Sequence, residues 1–401
     1  MDVVVIGSGA SGLISAIECA KNGNNVIVLE RYSDFAKKIL VTGNGRCNYW
    51  NEDFSNKHFY SSNFNFVKQV NTLENRKEVL KFFKNIGIVP YIKNGYYYPM
   101  SMQASSIRNA LLSEANDRGV KFVKDACVTS VKKRNDKFYI DYNNGGVVSD
   151  KVILAMGSKS YFKDDALGYD ICRSFGHNII KVMPSLVQLV GNEKYFKDWK
   201  GVRSNASLSI YVDNKKIKEE LGEVMLTDYG ISGICVFNLS GIAVRALNEK
   251  KKVYISINFL PEINNLLSFF EKRNNNLKNK KLDIFLEGII NYKIINVILN
   301  KCHLDKNRCW NDLNEIEKNN LVNNLLSFKL NITGSQDYLN SQVCTGGVDT
   351  LEINSNTMES KLCKGLFIVG EMLDVDGECG GYNLGFAWIS GMIAGRSVNS
   401  D

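Results

Sequence analysis

Gly7, Gly9 and Gly12 stand in G-x-G-x-x-G spacing directly after the apolar run Val3 to Ile6. Leu13, Ile17 and Ala20 follow at helical spacing, and Gly23 suits a helix stop. The order is strand, tight turn, helix. Its chemistry is anion binding. Gly7 permits the turn, Gly9 lets backbone amides approach a pyrophosphate, and Gly12 lets the helix lie against the strand. Ala10 and Ser11 occupy the first helical turn, where N–H groups and the positive dipole end face the anion. A second apolar run, Val26 to Leu29, ends at Glu30 and Arg31. A carboxylate at that point accepts hydrogen bonds from a ribose hydroxyl and repels a 2′-phosphate. Motif and acid together specify a dinucleotide site. They do not choose between NAD and FAD.

Two further stretches carry chemistry. The first, "KKILVTGNGRCNYWN" from Lys37 to Asn51, follows the Glu30 strand. Lys37 and Lys38 offer charge or backbone N–H to a diphosphate. Gly43 and Gly45 permit close approach to a flat ring. Arg46, Asn48 and Asn51 are expected to lock the loop by side-chain hydrogen bonds. The loop lacks the lysine–hydroxyl ending of a phosphate loop, and Cys47 has no histidine nearby in sequence. The second stretch is "GLFIVGEMLDVDGECGGYNLGFAWISGMIAG". Leu366 to Val369 reads as a buried strand ending in Gly370-Glu371, with Asp374 behind it. Gly380-Gly381 then precede Tyr382, Asn383 and Leu384, which open a helix.

A nucleotide domain that begins at residue 2 and is completed after residue 365 is split by an insertion. The expected fold is α/β: a discontinuous Rossmann-like domain over 1–186 and 340–401, with an inserted domain over 187–339. Within the first part, 74–86 and 105–118 read as helices. A three-strand meander follows residue 125, and a buried strand ends at Gly157. The insertion starts with alternating strands, at 206–212, 223–226 and 253–259. Lys-rich helical stretches come next, near 262–274, 282–302 and 313–325. It has a β-rich part and a helical part.

These pieces together resemble the FAD-binding flavoprotein family that includes aminoacetone oxidase and the proposed 3-dehydro-bile-acid Δ4,6-reductase. The segments carrying the resemblance are "KKILVTGNGRCNYWN", "GYYYPMSMQASSI", "GSKSYFKDDALGYDICRSFGHNIIKVMPSLVQL", "EVMLTDYGISGICVFNLS" and the C-terminal block from Cys344. The resemblance implies FAD in a glutathione-reductase-type fold. It implies that the Gly7–Gly12 loop takes the ADP half and that backbone near Val128 borders adenine. Glu371 is expected to reach the ribityl chain, and the helix after Gly381 to aim at the flavin ring. Two segments depart from the family pattern. Thr227-Asp228 stands where Thr-His is usual. Gly157-Ser158-Lys159-Ser160-Tyr161-Phe162 stands where Gly-Gly-x-Ser-x-Pro is usual.

The chemistry implied is that of an FAD-dependent oxidoreductase, with hydride passing through flavin N5. A small amine or an enone- or steroid-like molecule is the expected substrate. The sequence shows no second G-x-G-x-x-G unit, so NADH or NADPH enters only as a transient reductant, with O2 the other electron partner considered. Tyr382, Cys47 and Arg46 are the catalytic candidates, by location alone. The net charge of +8 raises a second reading, a flavin-bearing RNA-binding or tRNA-modifying protein. Aromatic residues interleave poorly with the basic ones, so a nucleic-acid partner is not the first expectation. A plain NAD dehydrogenase is the third. The ten cysteines form no C-x-x-C pair, and the three histidines form no ligand spacing, so no metal site is expected. Val3 to Ala20 is apolar apart from Glu18, yet glycines interrupt it and no basic region precedes it. No membrane span is expected, and the expected location is cytoplasmic.

Overall fold

The structure, a computed structural model, describes residues 1–160 and 167–399. The chain divides into two compact units. One comprises Met1–Met183 with Val343–Asp401, the other Pro184–Gln342. The expected α/β architecture is present, with a parallel sheet in the first unit and an antiparallel sheet and helices in the second.

The first unit is built on five parallel strands in the order Leu366–Ile368, Lys151–Leu154, Asp2–Ile6, Asn25–Leu29, Lys121–Val123. Val3 to Ile6 are all buried, as a strand covered on both faces requires. Full burial of each such side chain contributes about 1.5–3 kcal/mol. The N-terminal and C-terminal pieces of the chain share this sheet, because Lys151–Leu154 sits between Asp2–Ile6 and Leu366–Ile368. The meander Val128–Arg134, Lys137–Tyr142, Gly145–Ser149 forms a separate antiparallel sheet. A smaller one joins Trp50–Asn51, Tyr96–Pro99 and Pro90–Lys93.

The first helix, Ala10–Lys21, packs against the last, Tyr382–Ser397. A Cβ on Gly391 would lie 2.4 Å from the Ser11 carbonyl oxygen, and one on Gly395 2.6 Å from that of Ser15. Ser15 Oγ donates to the carbonyls of Ser11 (2.7 Å) and Gly391 (2.9 Å). Matching positions advance together by four residues, so the two helices run parallel.

The second unit holds a seven-stranded sheet in the order Phe328–Ile332, Val253–Asn258, Arg203–Val212, Lys215–Leu226, Gly230–Ser232, Leu189–Val190, Gly334–Ser335. Helix Ile234–Asn248 covers the face carrying Ala206, Leu208 and Ile210. The stretch expected as one helix over 282–302 is two, Leu282–Glu287 and Tyr292–Lys301. Gly288 ends the first, and the Asn291 side chain caps the second through Lys293 N–H (3.0 Å). Phe285 stacks on Trp310 in the core of this helical portion, with centroids 5.5 Å apart. No helix among the described residues is long and apolar enough to cross a membrane.

The helix contact in the first unit yields a test. Gly391→Val overpacks it and costs about 1–3 kcal/mol. The expected result is a lowered melting temperature in a thermal scan of the flavin-free protein.

Candidate functional site

The glycine loop separates two kinds of requirement. A Cβ on Gly7 (φ +101°) would lie 2.4 Å from the Ala155 carbonyl oxygen, and one on Gly12 2.0 Å from that of Gly7. The protein's own packing demands both. A Cβ on Gly9 would meet nothing within 4 Å. Its backbone is ordinary, at φ −68° and ψ −169°, and it caps the first helix without a side-chain hydrogen bond. Glycine here leaves an open cradle at a helix N-terminus whose first turn carries no acid. A diphosphate fits that cradle in shape and in charge.

Glu30 is buried, and its carboxylate ties the loop together. Oε2 accepts from Ser8 N–H (3.0 Å) and from Ser8 Oγ; Oε1 accepts from Tyr32 N–H (3.1 Å). Ser8 Oγ in turn accepts from Ala36 N–H (3.1 Å). The Glu30 carbonyl accepts from Ala126 N–H (2.8 Å), which brings the start of the Val128 strand beside this acid. Arg31 and Lys37 both lie against the Tyr32 ring, 4.9 Å and 4.8 Å from its centroid.

Lys38 goes elsewhere. Its ammonium bonds Glu371 Oε2 (2.7 Å) and Ser160 Oγ (2.6 Å). Glu371 Oε1 accepts from Ser158 Oγ (2.6 Å), Ser160 Oγ (2.9 Å) and Cys344 N–H (3.0 Å). The diphosphate role read for Lys38 and the ribityl role read for Glu371 therefore meet a different arrangement: these two side chains hold each other. Gly157 precedes this cluster at φ +74°, with open space where a Cβ would stand. Tyr161 and Phe162 lie outside the described residues. Asp228 of the other family departure pairs with Lys200 (2.6 Å) in the second unit.

The Lys37 stretch begins as a short helix, Lys37–Val41, then turns through Gly43 (φ +55°), Asn44 (+54°), Gly45 (+80°) and Cys47 (+57°). Left-handed backbone costs most non-glycine residues about 1–2 kcal/mol, asparagine being the tolerant exception, so Cys47 holds a strained conformation. Cys47 is fully buried, and burial pushes its thiol up to about 12. It is a packing group that stays protonated at neutral pH, which removes it from the nucleophile candidates. Asn48 reaches the carbonyls of Trp50 (2.8 Å) and Tyr97 (3.2 Å), and Asn51 Nδ2 donates to the Gly380 carbonyl (2.9 Å). The locking role read for both asparagines fits these bonds. Arg46 does not share it: its guanidinium is exposed and makes no hydrogen bond or ion pair among the described residues.

The last helix starts at Gly381 (φ +93°), where a Cβ would lie 2.7 Å from the Trp50 carbonyl oxygen. Tyr382 precedes Gly391 by nine residues, and Gly391 lies level with Ser11. The first helix begins at Ala10, one residue before Ser11, so at 1.5 Å per residue this N-terminus stands about 12 Å beyond that of the first helix. Two positive helix ends are thus stepped along one direction. At the first step, a Cβ on Gly370 would lie 2.5 Å from Ser11 Oγ. Asn383 and Asp374, expected to join the cofactor set, hold loops of this region. Asn383 bonds both N–H and C=O of Gly377 (2.8 Å each), and Asp374 Oδ2 accepts from Ser62 N–H (2.9 Å). Leu384 is half-buried in the first turn.

Tyr382 is buried, and its phenol is pushed above the ordinary range by burial, then by Glu378 and Asp53. His58, read from sequence as isolated, stacks on Tyr382 with centroids 4.5 Å apart. Its Nδ1 lies 2.7 Å from Glu378 and its Nε2 3.1 Å from Asp53. Sequence spacing gave no signal for this clasp, because Glu378 is 320 residues away. Among the described residues no group of His, Cys, Asp and Glu forms a metal cluster.

Two outcomes follow from this geometry. Gly9→Ala leaves the melting temperature of the flavin-free protein unchanged and weakens FAD retention on a desalting column. Iodoacetamide at pH 8 labels the part-exposed Cys127 and Cys309, whereas mass mapping finds Cys47 labelled only after denaturation.

The HI0933-like protein Rossmann domain model matches residues 1–397. The chain is 35% identical over 400 residues to the 3-dehydro-bile acid delta(4,6)-reductase of Clostridium scindens, covering 98% of each chain. It is 26% identical over 400 residues to the ribosomal RNA dihydrouridine synthase of Escherichia coli, covering 99% of this chain and 98% of that one. The 3-ketosteroid-delta4-(5alpha)-dehydrogenase of Rhodococcus jostii shares the fold, with a TM-score of 0.53 at 13% identity over 100% of this chain and 97% of the other. The protein belongs to the HI0933-like Rossmann-domain family and is an FAD-dependent oxidoreductase.

Proposed function

We propose that this enzyme reduces a carbon–carbon double bond conjugated to a carbonyl, with NADH or NADPH as a transient reductant. The observation that carries the cofactor part is the stepped pair of helix N-termini, one facing the open Gly9 and the other beginning at Gly381. Residues of the Gly7–Gly12 loop, with Glu30 beside it, would hold the diphosphate and ribose. The start of the Tyr382 helix and the Gly43–Gly45 loop would flank the ring. Bound there, FAD supplies hydride transfer at its N5.

The reaction class draws support from the two relatives. A Δ4,6-reductase of a 3-dehydro bile acid and a dihydrouridine synthase both saturate a C=C bond next to a C=O. The more similar relative, at 35% identity, favours a steroid-like enone. The net charge of +8 and the second relative favour the other reading, in which the same chemistry acts on a uracil ring in RNA. The chain's own part is to orient the conjugated carbonyl, shield it from water and accept the charge that develops on its oxygen.

The test is anaerobic. Purified protein carrying FAD is bleached with NADPH or NADH, then offered a 4-en-3-one steroid, an amine, or unmodified ribosomal RNA. The expected result is reoxidation by the enone and none by the amine in its oxidised or reduced form. Reoxidation by RNA alone moves the substrate to the uracil reading. Reduced flavin that no conjugated carbonyl reoxidises overturns the reductase reading.

A further inference from the structure

We propose that Arg46 and the outward face of the strand Tyr96–Pro99 form the subsite for the conjugated carbonyl: Arg46 takes its oxygen, and Tyr98 and Tyr96 take the flat carbon skeleton. This assignment rests on the reductase reading above.

Three observations converge on it. The first is side-chain alternation. Tyr97 turns toward the core, edge-on to Tyr49 with centroids 6.2 Å apart. Tyr96 and Tyr98 therefore share the opposite face, about 7 Å apart along the strand. The second is that this one face touches both glycine loops. A Cβ on Gly380 would lie 3.0 Å from Tyr96 Cε1, and one on Gly43 would lie 3.8 Å from Tyr98 Cε1. Two half-buried aromatic rings thus border the space between the Gly43 turn and the start of the last helix.

The third is the posture of Arg46. Its neighbours on both sides are held in left-handed backbone, and Cys47 is driven into the core. Arg46 N–H bonds the Gly43 carbonyl (3.2 Å), and Cys47 N–H bonds the Thr42 carbonyl (3.0 Å). The turn is thereby fixed with Arg46 exposed and its guanidinium unpaired among the described residues. It stays within electrostatic reach of Tyr98, whose phenol burial raises and Arg46 lowers. Strain stored in a loop that presents one uncompensated cation beside aromatic rings is what a charge-stabilising site requires. A solvated surface arginine needs neither the strained turn nor the aromatic neighbours.

The chemistry balances. The substrate takes a hydride from reduced flavin at its β carbon. The C=C π pair shifts, and the carbonyl π pair goes to oxygen as an enolate. Arg46 donates two N–H groups to that oxygen through its planar fork. A solvent proton then adds at the α carbon, giving the saturated ketone. Tyr96 and Tyr98 set where the skeleton lies and do not exchange protons.

The experiment separates the half-reactions in FAD-loaded Arg46→Gln, Arg46→Lys and Tyr98→Leu. Melting temperature and flavin content are checked first. Wild type and all three variants are bleached with NADPH or NADH, then mixed with a 4-en-3-one steroid in a stopped flow. A saturated 3-ketosteroid is titrated separately, and the shift of the oxidised flavin spectrum reads binding. The expected pattern has three parts. Arg46→Gln slows reoxidation at least 100-fold, with reduction by the nicotinamide within threefold of wild type. Arg46→Lys recovers part of that loss. Tyr98→Leu weakens ketosteroid binding at least tenfold and slows saturating reoxidation by less. A wild-type reoxidation that Arg46→Gln leaves within threefold overturns the assignment alone. A wild-type flavin that no conjugated carbonyl reoxidises overturns the reductase reading and this assignment together.

Discussion

The contact between the first and last helices is the constraint on which the first unit depends. Two strands of sheet and two helices come from opposite ends of the chain, and they close only if the helices approach almost backbone to backbone. Gly391 and Gly395 supply the missing Cβ atoms, and Ser15 supplies a hydrogen bond across the gap. The buried Glu18 carboxylate is held by Arg396 of the last helix (2.7 Å), so a charge also depends on the same closure. Removing one partner of such a pair leaves a buried charge uncompensated, which costs more than the pair contributes. Packing and electrostatics thus fix one relative placement of the helices. That placement sets the step between their two positive ends.

Much of this was legible in the sequence, for local reasons. The Gly7–Gly12 spacing, the apolar runs on either side and Glu30 all lie within one βαβ unit, so pattern alone predicts them. The split of the nucleotide domain follows from finding a second glycine-rich strand–helix unit after residue 365. What pattern missed is long-range or conformational. Lys38 and Glu371 are 333 residues apart, and nothing local says that they pair. Of the hairpin Pro90–Lys93 with Tyr96–Pro99, only the second strand was read, as part of a family segment, because three consecutive tyrosines do not alternate in polarity. The break at Gly288–Asn291 hid inside an apolar stretch long enough for one helix. Helix Ile234–Asn248 has apolar residues nearly all round, so its periodicity is weak.

Several polar residues near the glycine loops shape those loops. Asn383, Asp374, Asn48 and Asn51 all satisfy backbone groups or neighbouring side chains of the first unit. This division follows from the cost of leaving polar backbone groups unsatisfied in a buried turn. Loops that leave space for a large cofactor cannot satisfy themselves with regular secondary structure. They recruit asparagine and aspartate side chains, whose short arms mimic backbone partners. Polar residues around such a site then split between those that build its walls and those that face inward. Sequence reading identifies the neighbourhood and cannot assign the side.

Ser158, in one of the two segments that depart from the family pattern, meets Glu371 in one hydrogen-bonded cluster. Ser158 stands where the resemblance leads one to expect a second glycine after Gly157, and Glu371 follows the strand-end Gly370. Ser158 Oγ donates to Glu371 Oε1 at 2.6 Å, while Ser160, at the position that keeps the usual serine, donates to the same oxygen at 2.9 Å. The Glu371 side chain thus reaches the segment that supplies both serine hydroxyls. Lys38 then neutralises the charge that this burial would otherwise strand. A carboxylate with four donors around it, one of them the charged Lys38, gains little by turning toward a neutral sugar chain, because it would give up a charge-assisted bond for an uncharged one. Glu371 thereby braces the segments that follow the adjacent strands Lys151–Leu154 and Leu366–Ile368.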